Sequence, residues 1–199
     1  MCKGLGVFIT IEGLDGSGGT TQLALLADAF GARGRTVVRT REPSPGPVGR
    51  LIREALAGGE LGDAVLPYLF AADRRDHLDR VVLPAVARGD VVISDRYALS
   101  SFAYQSLSVG LDRVLAINAD FPAPNLTVVI DLAPEACLAR IEARGGVRER
   151  FETLERLRAV AAAYDAAIAR CPHWRVERVS GEGSPADVHA RIARLVWPA

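Results

Sequence analysis

Lysine is almost missing from this chain: of 24 basic residues, Lys3 is the only lysine and all the others are arginine. Any site that needs a cation must therefore draw on arginine, a metal ion or a partner chain. Cysteine is scarce as well. Cys2, Cys137 and Cys171 lie far apart in no metal-ligand spacing, which fits reduced thiols and excludes a disulfide scaffold. No run approaches the ~18 uninterrupted apolar residues of a membrane span. The opening MCKGLGVFITIEG also holds no apolar stretch long enough for a signal peptide. A cytoplasmic location is expected. The formal net charge is zero, so the chain has neither the basic surplus of a general nucleic-acid binder nor an acidic tail. No repeat, low-complexity tract or linker interrupts residues 1–199, and one domain is expected.

What is present is an alternation of short apolar runs with longer helical patterns. GVFITIE (6–12), TVVRTR (36–41), DVVISD (90–95), NLTVVIDL (125–132) and WRVERVS (174–180) are rich in Val, Ile and Thr and read as strands. Helical periodicity covers about 19–33, 47–58, 63–88, 98–119, 134–144, 149–171 and 184–196. Ser184 followed by Pro185 marks the last helix start, as N-cap and first helical residue. Such alternation implies a three-layer α/β domain: a mostly parallel sheet of about five strands with helices on both faces. The irregular stretches EPSPGPVG and EARGGVRERFE are candidate substrate loops, because ligands in open α/β sheets sit beyond the carboxyl ends of the strands.

The first strand runs into GLDGSGGTT, residues 13–21. Gly13, Gly18 and Thr20 fall in register with the phosphate-loop pattern G-x-x-x-x-G-K-[ST], but the lysine position holds Gly19. The main chain of such a loop does most of the binding. Gly13, Leu14, Asp15, Gly16, Ser17, Gly18 and Gly19 leave N–H groups free to form an anion nest, and the next helix adds its positive dipole end. Thr20 or Thr21 offers a hydroxyl for Mg²⁺. The missing lysine would have followed the transferring group. Single cationic contacts of that kind are worth about 10³ to 10⁵ in rate, roughly 4–7 kcal/mol. Its loss should harm turnover far more than nucleotide binding.

Further segments line up with this loop: REP at Arg41–Pro43, FAADRRDH at Phe70–His77, and DRYALSSFAYQ at Asp95–Gln105. Together with EGLDGSG they closely resemble the thymidylate kinase family, over about residues 6–196. The resemblance implies a three-layer phosphate-loop kinase fold, ATP and Mg²⁺ as donor and cofactor, dTMP as acceptor, and a homodimer. Asp95 is then expected to hold Mg²⁺ with Thr20. Arg96 and Arg41 offer planar forks for the acceptor's 5′-phosphate. Phe70 offers a face for the thymine ring, and Arg74, one turn later, a reach to a base carbonyl. Ser100, Ser101, Tyr104 and Gln105 would place polar tips on base and sugar, and Asp15 would accept the sugar 3′-hydroxyl. The plainer alternative for Asp95–Arg96 is an ion pair at a strand end, and for Phe70 simple core packing. The flanking motifs favour function.

The lid, about 140–152, decides how the missing lysine is read. RIEARGGVRERFE places Arg140, Arg144, Arg148 and Arg150 around a Gly-Gly hinge. In one branch of the family the lid arginines close over the donor phosphates, and Gly16 after Asp15 fits that branch. Arg144 is expected at the donor, with Arg148 and Arg150 supplying catalytic charge. The alternative is a solvated helix face paired to Glu142, Glu149 and Glu152. A second departure follows REP, where Ser44-Pro45-Gly46 replaces the family's Gly-Gly-Thr turn. Two classes of function stay open: a dTMP kinase weakened by Gly19, and a nucleotide-binding pseudokinase with the same pocket. Within the first class, a kinase for a different nucleotide or another small phosphate acceptor is the further alternative.

Overall fold

The computed structural model describes residues 5–145 and 153–197. One five-stranded sheet runs through it in the order β2-β3-β1-β4-β5, with every described pairing parallel. The strands are β1 (Val7–Gly13), β2 (Val37–Arg41), β3 (Val91–Asp95), β4 (Leu126–Asp131) and β5 (Val176–Ser180). Each lies within a residue or two of the apolar run that predicted it, because a strand buried on both faces reads as a continuous β-branched stretch.

Alternation along β1 divides the core in two. Ile9 and Ile11 face α1 (Gly19–Gly31) and α10 (Pro185–Val196), together with Leu26, Ile93, Val128, Ile130 and Ile192. Phe8, Thr10 and Glu12 take the opposite face, under α5 (Ala98–Tyr104) and α9 (Leu154–Ala169). Phe8 joins Tyr97, Phe102, Leu157 and Tyr164 in that second core.

The remaining helices are α2 (Pro47–Leu56), α3 (Leu66–His77), α4 (Leu83–Ala87), α6 (Ser106–Val109), α7 (Leu111–Ile117) and α8 (Pro134–Arg144). Two expectations are corrected. The stretch 98–119, read as one helix, is α5, α6 and α7, and Gly110 between the last two has φ +82°, a conformation that ends a helix. The stretch 63–88 starts later, at Leu66, and carries a π-helical turn at Leu78–Val82 between α3 and α4. Pro84 follows directly; it has no N–H to donate and its ring crowds the preceding turn, and a wider turn relieves both. The last helix starts as predicted: Ser184 and Asp187 form a reciprocal capping box.

Parallel register brings the strand ends level. Arg41 of β2 and Ile11 of β1 both pair with Asp95 of β3, and Gly13 pairs with Ile130. The connections leaving β1 and β3 run toward opposite edges, so the crevice beyond their carboxyl ends is the position where such sheets bind ligands.

Candidate active site

Three cavities adjoin in that crevice. The middle one, about 450 Å³, is walled by the β1–α1 loop, Asp95, Arg96, Arg140 and Arg144. One of about 270 Å³ shares Asp15, Thr20, Asp95 and Arg96 with it and extends toward Arg41, Phe70 and Gln105. A third, about 300 Å³, shares Gly16, Ser17, Gly18, Thr21 and Arg140 and extends toward Gly181 and Pro185.

The loop owes its path to glycine at two positions above all. Gly16 has φ +84°, and a Cβ there would lie 2.4 Å from the Cys137 carbonyl oxygen. Gly18 has φ +104° and is the N-cap of α1; no side chain caps that helix, so its first-turn N–H groups are left for a ligand. Gly19 differs. Its backbone is not left-handed, and a Cβ built on it would stand 2.9 Å from Asp95 Oδ1 and otherwise in ordinary contact. The backbone therefore does not require glycine at the lysine position, and only the end of one side chain would have to turn aside.

Asp95 ends β3, and its Oδ2 accepts a hydrogen bond from Thr20 Oγ1 at 2.6 Å. No group of three or more His, Cys, Asp or Glu suited to a metal occurs among the described residues. This carboxylate and hydroxyl are hard oxygen donors that fit Mg²⁺, an ion that keeps several waters and takes further ligands from substrate phosphates.

Arg96 has φ +74°, the one positive φ among the described non-glycine residues. Its Nη2 donates to Asp15 Oδ1 at 2.5 Å and to the Tyr104 hydroxyl at 3.3 Å. Its Nη1 donates to the Gly13 carbonyl and to Ser100 Oγ, both at 3.0 Å. Tyr104 lies under the guanidinium, 5.0 Å from ring centre to Cζ, and its hydroxyl receives the Asp15 N–H at 3.1 Å. Arg96 stays charged: burial disfavours its cation, and Tyr104, Asp15, Tyr164 and Asp95 together outweigh that cost.

Around the acceptor-side cavity the structure brings together Asp15, Thr20, Arg41, Phe70, Asp95, Arg96, Ser100, Tyr104 and Gln105. Arg41 is exposed and has no ion-pair partner among the described residues. Leu14, Thr21 and Arg144 line the loop cavity with the glycines and Ser17. Arg74 and Ser101 are not on the walls. Arg74 is wholly buried, with Nη2 2.7 Å from Glu42 Oε2, and it donates to Ser101 Oγ at 2.9 Å and to Asn118 Oδ1. It thus braces Glu42, which is itself a wall residue. Arg148 and Arg150 fall outside the described residues.

Several residues to which the sequence assigned no contact belong here as well. Arg53 lines the acceptor-side cavity, and its Nη1 donates to the carbonyls of Pro43 and Ser44 at 2.9 and 2.8 Å. The signal was its place three residues before Leu56, another wall residue, on the same side of α2. His77, at the end of the FAADRRDH segment, is buried with Nε2 2.6 Å from Thr40 Oγ1 and Nδ1 3.2 Å from Glu42 Oε1. The Ser44-Pro45-Gly46 turn is anchored: Ser44 donates to Asp73 through N–H at 2.7 Å and through Oγ at 2.6 Å. Arg140 donates to the Ser17 carbonyl at 3.4 Å and the Gly181 carbonyl at 3.1 Å, with no carboxylate partner among the described residues. Cationic groups thus gather at both ends of the crevice in a chain of zero net charge.

A family model described as thymidylate kinase matches residues 11–192 of this chain. A thymidylate kinase of Xanthomonas oryzae pv. oryzae is 38% identical over 213 residues, covering 96% of this chain and 94% of the relative. A probable thymidylate kinase of Pyrobaculum aerophilum is 42% identical over 191 residues, 95% of each chain. Another from Pyrococcus horikoshii is 37% identical over 198 residues, 96% of each.

Proposed function

The chain belongs to the thymidylate kinase family, phosphotransferases acting on dTMP, and on that premise we propose that it converts dTMP and ATP into dTDP and ADP in the cytoplasm. The observation that carries this reading is the junction of two cavities at Thr20, Asp95 and Arg96. A donor phosphate chain on the loop and an acceptor phosphate near Arg41 would meet there.

The acceptor phosphate is largely dianionic at neutral pH, since such groups lose their second proton near pH ~6. It needs no side chain to remove a proton. Its oxygen forms a bond to the γ-phosphorus while the bond from γ-phosphorus to the β,γ-bridging oxygen breaks, and that electron pair leaves with ADP. Catalysis is then positioning and charge. Arg41, Arg53 and Arg96 hold the acceptor phosphate; Phe70, Ser100, Tyr104 and Gln105 hold base and sugar; Asp15 takes the sugar hydroxyl. Gly13 to Thr21 cradle the donor phosphates through main-chain N–H groups. Thr20 and Asp95 would hold Mg²⁺, which when bound neutralises charge on the donor phosphates. Arg144, with Arg148 and Arg150 of the lid, supplies the cation that position 19 lacks. Lid closure over the crevice excludes water and limits wasteful hydrolysis of ATP.

Arg74 does not have to touch the base to matter, because it fixes Glu42 in the acceptor wall. Pairing of two copies of the chain is proposed from the family alone. No described helix is long and apolar enough to cross a membrane. Gly19 favours one second reading, a pseudokinase that binds both nucleotides without turnover. Steady-state ADP formation with ATP, Mg²⁺ and dTMP separates the two: turnover that requires dTMP supports the kinase, and tight dTMP binding without turnover supports the pseudokinase. A panel of other nucleoside monophosphates tests the choice of acceptor.

A further inference from the structure

Beneath the Asp95–Arg96–Tyr97 turn lies a carboxylate that the chemistry above does not use. Glu12 is the last residue before the phosphate loop, on the α5–α9 face of β1 and 2% exposed. Three donors from two other elements converge on it. Its Oε1 accepts the Tyr97 N–H at 2.8 Å, and its Oε2 accepts the Tyr164 hydroxyl at 3.1 Å and the Ser100 hydroxyl.

Two of these donors are tied to the site by a second hydrogen bond, and the third by the chain itself. Ser100 Oγ also receives Arg96 Nη1, and the Tyr164 hydroxyl also receives the Gly13 N–H at 3.3 Å. Tyr97 follows Arg96, whose left-handed backbone persists only where its surroundings hold it. In its ionised form the Glu12 carboxylate suits this junction because it accepts from several donors at once and donates nothing; burial pushes the group up to about 7, so that form prevails above neutral pH. An amide in its place would aim an N–H at one of these donors and force hydroxyls to turn. Arg96 is the cation facing Glu12, and Tyr164 is the other titratable group in contact with it.

We propose that Glu12 is a positioning residue for the acceptor: its carboxylate gathers Tyr97 N–H, Ser100 and Tyr164 and so fixes the turn and guanidinium of Arg96. This rests on the kinase reading above. It makes a distinction that a general stabilising role would not, because Arg96 serves the acceptor and the donor is held mainly by the loop's main chain.

The test is calorimetric titration at about pH 8.5, where Glu12 is ionised, of dTMP and separately of ATP with Mg²⁺ into the unmodified chain, Glu12→Gln and Tyr164→Phe. Glu12→Gln is expected to weaken dTMP binding by about 10- to 100-fold, and ATP binding by no more than about 2-fold, as loss of hydrogen bonds to a charged group would give. Tyr164→Phe should shift dTMP in the same direction by about 3- to 10-fold. Unchanged dTMP affinity in Glu12→Gln overturns the proposal, as does equal weakening of both ligands. Should Glu12→Gln not fold, Tyr164→Phe decides by the same criterion. Absence of dTMP binding by the unmodified chain would refute the acceptor reading itself, a result distinct from failure of Glu12 alone.

Discussion

The two sides of the crevice are built on different principles. The acceptor wall is made of interlocked side chains: Arg74 and His77 hold Glu42, Asp73 holds Ser44, and Arg53 holds the Pro43 and Ser44 carbonyls. The donor wall presents mostly main chain, a glycine turn and an uncapped helix start, held from behind by bonds from Arg96, Tyr104, Tyr164 and Arg140 to its backbone. A base and a sugar must be read by shape and by hydrogen bonds, which takes fixed side chains. A phosphate chain is read by converging N–H groups. The difference explains how position 19 can lack a lysine and leave the loop's geometry in place: the bonds that hold the turn come from Arg96, Tyr104, Tyr164 and Arg140, and none passes through residue 19.

The comparison breaks first where both walls share a residue. Arg96→Ala should lower kcat/KM for dTMP by about 10³- to 10⁵-fold, since it removes a cation from the transferring group and frees the turn; steady-state kinetics reads this directly. A loss under tenfold would mean that Arg96 is only a partner for Asp15. Within the acceptor wall, Arg74→Met leaves Glu42 buried and without its cation, at a cost of about 3–5 kcal/mol in unfolding free energy. Denaturant titration checks it.

Glu12 gives a pH dependence whose sign follows from burial. Its carboxyl is pushed up from 4.5 to about 7 in the folded chain, by desolvation that outweighs Ser100, Arg96 and Tyr164. Between those values the folded state keeps a proton that the unfolded state releases, so this group's contribution to stability is present below 4.5 and is lost as pH rises through about 7. The loss amounts to roughly 3 kcal/mol. Glu12→Gln should flatten that slope; an unchanged slope between pH 5 and pH 8 in melting experiments would assign it to other groups. Smallest of the four, Arg53→Ala should raise the KM for dTMP by about 10- to 100-fold and leave that for ATP unchanged. An equal rise for both nucleotides would blur the division between the walls.

How far the sequence reached depended on whether a residue's role was local. The five strands were legible because their β-branched runs carry the signal themselves, and the loop was legible because its spacing is a backbone requirement. Gly110 was visible, but the helical period on either side of it concealed the break. The destination of Arg74 was not legible: its spacing from Phe70 pointed to the pocket, and only the tertiary meeting with Glu42 and Asn118 turned it inward. Glu12 read as the end of a strand, because the donors that give it meaning come from positions 97, 100 and 164.

The most direct measurement is ADP release by the unmodified chain with ATP and Mg²⁺, with and without dTMP, beside Gly19→Lys. Asp95 Oδ1 stands 2.9 Å from where the new side chain would leave the helix, and it can turn aside. The expected result is dTMP-dependent turnover by both, because arginines supply the charge that the loop lacks. Turnover confined to the lysine variant would contradict it, and would leave the native chain an intact pocket that binds without transferring phosphate.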